Sequence, residues 1–340
     1  MRTSRGDHTT HTDFHAPARR DRTAPHTRPR TRPRTRPGTR RGTRLLTTLG
    51  ALTLALAMTL AITPSASATG WQPRFGHYVA LGDSYTSGPL VPLPKPTAPL
   101  GCARSTTNYP TILAAQTHVG SFRDVSCGGA ATGHMTEPQR TPLGTNPPQL
   151  DALRPGTDLV TLGIGGNDEG VFGDLVGICP GLRDENPSGS PCRDHFTEAG
   201  TDTLAEAVAR TGERVGAVLD EIAAASPRAT VLVVGYPRIT PAPGTGVTCP
   251  DVLPFADGDL AWADDIETAL NDELRTASEN HGASFVDMYP ASYGHDACAG
   301  LQAWIQGKDT NPLVAMSYHP NAAGMYGVAT EIRRTLSAGN

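Results

Sequence analysis

The stretch His77-Tyr78-Val79-Ala80-Leu81-Gly82-Asp83-Ser84-Tyr85 decides how this chain is read. A short apolar run stops at a glycine, and Asp and Ser, both good helix caps, follow at once. That pattern predicts a buried strand over His77–Leu81 and a strand-to-helix turn that lifts the Ser84 hydroxyl above a sheet edge. A serine hydroxyl is a weak nucleophile until a neighbouring base takes its proton. The candidate base stands near the other end, in Ser317-Tyr318-His319-Pro320-Asn321. Pro320 and Asn321 there are expected to start a closing helix and fix the imidazole on a loop.

Working outward, apolar runs alternate with helical periodicity. Strands are expected at Ser121–Ser126, Asp158–Leu162, Thr230–Gly235 and Ser284–Asp287. Helices are expected at Pro110–Thr117 with Asn108 as N-cap, at Asp202–Ala225, at Leu260–Asn280 and at Ala322–Leu336. Such alternation implies an α/β chain with a parallel sheet covered on both faces. Ligands in these sheets gather beyond the carboxyl ends of the strands. Segments 88–107 and 237–259 are rich in Pro and Gly and contain cysteines, as the stapled walls of a cleft do.

Two further candidates follow predicted strands. Gly163-Ile164-Gly165-Gly166-Asn167 places a side-chain amide after glycines that permit close backbone approach. Asp168 stands where a phosphate-binding G-x-G-x-x-G would need its last glycine. Cys127-Gly128-Gly129 offers a backbone N–H from a tight turn. Both are natural oxyanion donors. Each also has a plain structural reading, a helix cap for Asn167 and a flexible turn for Gly129. The letters after Ser84 do not make G-x-S-x-G, because Thr86 stands at the second glycine position.

The first 68 residues are a different polymer. Met1 to Arg44 is dominated by Arg, Thr, Pro and His, with no apolar surface to offset ordering. Leu45 to Ile62 is apolar, is preceded by Arg40, Arg41 and Arg44, and is followed by Pro64-Ser65-Ala66-Ser67-Ala68. Basic flank, apolar run and A-x-A site read as a secretory signal, with a single membrane anchor as the alternative. Residues 69–340 are then one domain and the protein is expected outside the cell. Removing the leader's 13 Arg and 3 Asp from 29 basic and 33 acidic residues leaves 16 and 30, a formal charge of −14. So acidic a domain argues against nucleic acid or anionic membranes as partners. A monomer without stable membrane insertion is expected.

Six cysteines, Cys102, Cys127, Cys179, Cys192, Cys249 and Cys298, lie in the exported part, which implies disulfides. Fifteen pairings are possible, and the sequential one closes the shortest loops. No C-x-x-C or C-x-x-H spacing supports a metal, and the acidic cluster Asp257, Asp259, Asp264 and Asp265 matches no calcium loop.

Taken in order, Gly82-Asp83-Ser84-Tyr85, Cys127-Gly128-Gly129-Ala130, Gly163-Ile164-Gly165-Gly166-Asn167-Asp168 and Ser317-Tyr318-His319-Pro320-Asn321 resemble the blocks of the SGNH, or GDSL, hydrolases. The resemblance runs from about His77 to the last helix and is strongest to secreted actinobacterial esterases and lipases, which share three sequential disulfides. It implies a flavodoxin-like α/β/α sandwich with a central sheet of about five parallel strands, no metal and no cofactor. It implies Ser84 as nucleophile, His319 as base, and the N–H groups of Ser84 and Gly129 with the Asn167 amide as oxyanion hole. The expected substrate is a small ester or a lipid. Alternatives are a polysaccharide or plant-polyester deacylase, an acyltransferase on the same site, or a non-catalytic lipid- or carbohydrate-binding protein. One departure stands out: the family's last block usually reads D-x-x-H, and Met316 occupies the Asp position. The expectation is therefore that the Met316 main-chain carbonyl orients His319, with Asp309 or Asp296 as alternatives. Trp262, Trp304 and Ile305 are candidates for an acyl pocket or for plain core packing.

Overall fold

Alternation along Tyr78–Gly82 sends Val79 and Leu81 into one apolar layer and Tyr78 and Ala80 into another. This strand, β1, is buried throughout, so both faces of the sheet are covered. The computed structural model describes residues 74–338; the leader, apolar run and cleavage site expected within 1–68 lie outside the described residues. Strands β2 (Phe122–Asp124), β3 (Leu159–Gly163), β4 (Thr230–Val234) and β5 (Ser284–Val286) join β1 in the order β2-β1-β3-β4-β5. Every pairing is parallel. The result is the α/β/α arrangement expected.

Helices α1 (Ser84–Ser87), α2 (Tyr109–Thr117), α3 (Val171–Leu182), α4 (Thr203–Ala225), α5 (Asp259–Asn280) and α6 (Ala322–Ala338) complete the frame. Val215 and Leu219 of α4 and Ile266, Leu270 and Leu274 of α5 pack on the layer of Val79, Leu81, Leu162 and Val233. Leu113 of α2 and Val328 and Ile332 of α6 cover Tyr78, Ala80, Leu232 and Val286. The caps are those the sequence announces. Asn108 Oδ1 accepts from the Thr111 N–H at 3.2 Å. Asp202 accepts from the N–H groups of Leu204 and Ala205, both at 3.0 Å.

Helix α3 was not expected from the sequence. Gly173, Gly177, Gly181 and Pro180 give it the composition of a loop. Its buried residues, Val171, Leu175 and Cys179, nonetheless recur every fourth position on one face. Short antiparallel pairs, Gln139–Thr141 with Gly144–Asn146 and Thr197–Glu198 with Thr201–Asp202, lie outside the main sheet.

Bonds join Cys102 to Cys127, Cys179 to Cys192 and Cys249 to Cys298. The first ties the segment after β1 to the turn after β2, and the Gly128 N–H donates to the Cys102 carbonyl at 2.9 Å beside it. A protein carrying Cys102→Ala with Cys127→Ala is expected to lose about 3–4 kcal/mol of stability, from the closed-loop length. Urea unfolding of oxidised wild type against this variant measures the loss. Three of the four acidic residues weighed for calcium have separate partners. Asp257 pairs with Arg183, Asp259 accepts from the Cys192 and Arg193 N–H groups, and Asp264 pairs with Arg238. Asp265 has no such partner among the described residues.

Candidate active site

Ser84 opens α1 immediately beyond the carboxyl end of β1. Asp83 caps this turn, accepting from the Tyr85 N–H at 2.8 Å. Gly82 is required there: a Cβ would meet Thr86 Oγ1 at 2.2 Å and the Gly163 carbonyl oxygen at 2.5 Å. The missing side chain lets the Ser84 turn sit directly on the end of β3. Gln149 holds the same residue from the other side. Its amide donates to the Gly82 carbonyl at 2.9 Å and accepts from the Gly82 N–H at 2.7 Å, continuing the sheet pattern where β2 has ended.

The carboxylate of Asp83 is fully buried and belongs to a chain of hydrogen bonds. Tyr236, just after β4, donates its hydroxyl to Asp83 at 2.5 Å and accepts from the Gly166 N–H at 2.8 Å. Burial pushes the Asp83 carboxyl up to about 7, against the opposing pull of the Tyr236 and Tyr85 donors. This chain fixes the serine turn relative to the Gly165-Gly166-Asn167 loop. Tyr236 went unmarked in the sequence, although its place directly after a predicted strand was a usable signal. Gln149, in a proline-rich connection, carried none.

Gly129 has φ +72°, the left-handed region, and its N–H donates to no group among the described residues. The Ser84 N–H is equally free at the start of α1. Asn167 caps no helix with its side chain; Nδ2 instead donates to the Ala130 carbonyl at 2.9 Å. That bond leaves the second amide hydrogen for a ligand. Asp168 locks the two loops together by accepting from the Thr132 N–H at 3.0 Å and from the Thr132 hydroxyl.

His319 arrives from the segment before α6. Tyr318 holds φ +59°, a costly conformation for a bulky residue, and its carbonyl accepts from the Tyr85 hydroxyl at 2.6 Å. The imidazole packs against Tyr85 at 5.3 Å and Phe172 at 6.0 Å between ring centroids. The loop carrying the imidazole is thus fastened to the residue after Ser84. Ser84 Oγ itself makes no hydrogen bond among the described residues, a common state of such pairs before substrate tightens them.

The expectation for Met316 is corrected. Ring atom Nδ1 lies 2.7 Å from the Ser317 carbonyl oxygen. The Met316 carbonyl accepts instead from the His319 backbone N–H at 3.2 Å. The left-handed turn at Tyr318 brings the carbonyl two residues back, rather than three, to the ring. Neither carboxylate kept as an alternative bonds to the ring: Asp296 accepts from the Cys298 N–H, and Nδ1 has no carboxylate partner among the described residues. A carbonyl only accepts, so Nδ1 carries the proton and Nε2 is the basic nitrogen.

Burial lowers the His319 pKa below its ordinary 6.5, and the Ser317 carbonyl opposes this. The neutral, basic ring therefore persists to lower pH than for a free imidazole. The kcat/KM of an ester is expected to rise with pH through a midpoint below 6.5 and stay level above it. A pH–rate profile with p-nitrophenyl butyrate checks this; a midpoint at 7 or higher contradicts it.

Beside Tyr85 and Phe172 lies a narrow apolar cavity of about 20 Å³, bounded by Leu175, Tyr236, Ile239 and Ile266 among others. Glu267 borders it with both oxygens on the Ile239 N–H, and burial pushes its carboxyl up to about 8. Trp262, Trp304 and Ile305 are not part of this cavity. Trp262 stacks on Phe196 and donates to Asp202, and Trp304 stacks on His295. A larger opening of about 340 Å³ lies beside β2, lined by Lys95, Arg104, Phe122 and Asp124, and no candidate catalytic residue borders it.

Residues 80–326 match the GDSL-like lipase/acylhydrolase family. The chain is 42% identical to Lipase 2 of Streptomyces coelicolor over 254 residues, 73% of this chain and 81% of that protein. It is 32% identical to an esterase of Streptomyces scabiei over 67% of this chain and 74% of that one. Among solved structures, phospholipase A1 of Streptomyces albidoflavus superposes with a TM-score of 0.63 at 29% identity, covering 76% of this chain and 99% of the other. The extracellular lipase of Streptomyces rimosus gives 0.59 at 27%, covering 76% and 98%.

Proposed function

Since the chain belongs to the GDSL-like lipase/acylhydrolase family and is a carboxylic ester hydrolase, we propose that it works as a secreted serine esterase through an acyl-enzyme on Ser84. The observation that carries this reading is the His319 imidazole, held by the Ser317 carbonyl, with Nε2 unengaged among the described residues and the ring packed on the residue next to Ser84. Nε2 takes the Ser84 proton as Oγ attacks the ester carbonyl carbon. The new oxyanion accepts from the N–H groups of Ser84 and Gly129 and from the free Asn167 amide hydrogen. The C–O bond breaks, the alcohol leaves with the proton from Nε2, and the acyl group remains on Oγ. Water then gives its proton to Nε2 and attacks, releasing the carboxylic acid and restoring Ser84.

The apolar side chains of Tyr85 and Phe172 that flank His319 are the surface on which the acyl chain rests; the gap beside them, about 20 Å³, has room for about one water and not for a chain. Similar proteins bearing the names lipase, esterase and phospholipase A1 favour a lipid acyl ester over acetylated polysaccharide. A fluorophosphonate probe tests the mechanism: it is expected to label wild type on the peptide containing Ser84 and to leave Ser84→Ala unlabelled. Labelling on a different serine would overturn the assignment.

A further inference from the structure

The large apolar side chains exposed among the described residues are distributed unevenly. All but Tyr326, on α6, belong to segments that leave the carboxyl ends of the strands. The connections at the opposite edge, 118–121, 153–158, 226–229 and 281–283, expose none. Two segments adjoin the imidazole loop, one directly before His319 and one bonded to it. One carries Leu90 and Leu93, the latter 68% exposed. The other carries Leu313, 81% exposed, with Val314 and Met316.

These two segments are joined and stiff. The Met316 N–H donates to the Pro89 carbonyl at 3.1 Å, and the Leu93 carbonyl accepts from the Thr106 N–H at 2.7 Å. Leu313 and Val314 form the tip of a tight turn. The N–H groups of Val314 and Ala315 both reach the Asn311 carbonyl at 3.0 Å, and Asn311 Oδ1 accepts from the Leu313 N–H at 3.0 Å. The turn thus holds two apolar side chains outward where local folding requires neither. Exposed apolar side chains gathered on two joined segments offer an interaction surface. Its charge also differs from the acidic body: residues 88–95 and 308–318 contain only Lys95, Lys308 and Asp309 as charged groups.

We infer that this apolar rim, built from Leu90, Leu93, Leu313, Val314 and Met316, docks the protein on an electrically neutral lipid surface with the Ser84 cleft facing the lipid. The inference rests on the ester-hydrolase reading of Ser84 and His319. An ester carbonyl in an aggregated lipid lies near the boundary with water, so it meets a recessed serine only when the rim around that serine meets the surface. A second copy of the chain seated here would cover the mouth of the cleft, which makes it the poorer occupant. Apolar side chains at the tips of such loops enter the headgroup and acyl boundary, and binding scales with the apolar area buried there.

The test separates docking from chemistry. In a Ser84→Ala background, partition onto phosphatidylcholine vesicles is measured by flotation for the protein with and without Leu93→Ser, Leu313→Ser and Val314→Ser. At least tenfold weaker partition of the triple variant is expected. With Ser84 intact, the same triple variant is expected to keep its kcat/KM on monomeric p-nitrophenyl butyrate and lose about tenfold on vesicle-borne ester. Unchanged partition overturns the inference. So does binding confined to anionic vesicles and abolished by salt, or a rim-dependent dimer in sedimentation that does not bind vesicles. Parallel loss on the monomeric ester overturns it as well, because the rim would then be serving the site directly. Failure of the fluorophosphonate labelling would instead strike the chemistry and leave the flotation result standing.

Discussion

Ser84→Ala is expected to lower kcat on p-nitrophenyl esters by about three to six orders of magnitude while leaving the fold intact. The size follows from the acyl-enzyme route: without Oγ no covalent intermediate forms, and only the oxyanion donors and substrate positioning remain to assist direct attack by water. The hydroxyl makes no hydrogen bond in the structure, so its removal orphans no buried partner. Thermal unfolding within a degree or two of wild type is the matching control. Wild-type turnover by this variant would remove Ser84 from the mechanism, whatever the surrounding residues resemble.

Asn167→Ala is expected to lower kcat by about 10²–10³ with little change in KM. The donated hydrogen bond gains most when the carbonyl oxygen becomes an oxyanion, so its loss falls on the transition state rather than on substrate binding. Asn167 Nδ2 also donates to the Ala130 carbonyl, which is why the amide plane is fixed before substrate arrives. Alanine frees that carbonyl too, so the kinetic loss is to be read beside an unfolding curve. A rise in KM at constant kcat would assign Asn167 to binding instead. These two substitutions probe opposite ends of one arrangement, the serine turn after β1 and the loop after β3, which the Tyr236 hydroxyl bridges through Asp83 and Gly166.

Much of the frame was legible because it is written in local patterns. The apolar run His77–Leu81 and the β-branched run Thr230–Val234 fix strands, and the helical spacing of apolar positions fixes α4 and α5. Helix α3 escaped because glycines and a proline dominate its composition, although its buried face keeps helical spacing. The choice between an acyl pocket and core packing for Trp262 stayed open for a different reason. Trp262 has an apolar body suited to a pocket or to a core, and only its neighbours Phe196 and Asp202 decide between them.

By itself the sequence determined the order of the five strands and the ester-hydrolase class, and it nominated Ser84, His319, Gly129 and Asn167 through short blocks that resemble one family, because strands and blocks are local patterns. Tertiary structure alone decided which carbonyl meets the His319 ring, which tyrosine ties the serine turn to the glycine loop, and which side chains wall the cavity. The last two are contacts between segments distant along the chain, while the first lies only two residues from the ring. Their geometry depends on a left-handed turn at Tyr318 and on the packing of α3 and α5 beside Tyr85, which no local spacing encodes.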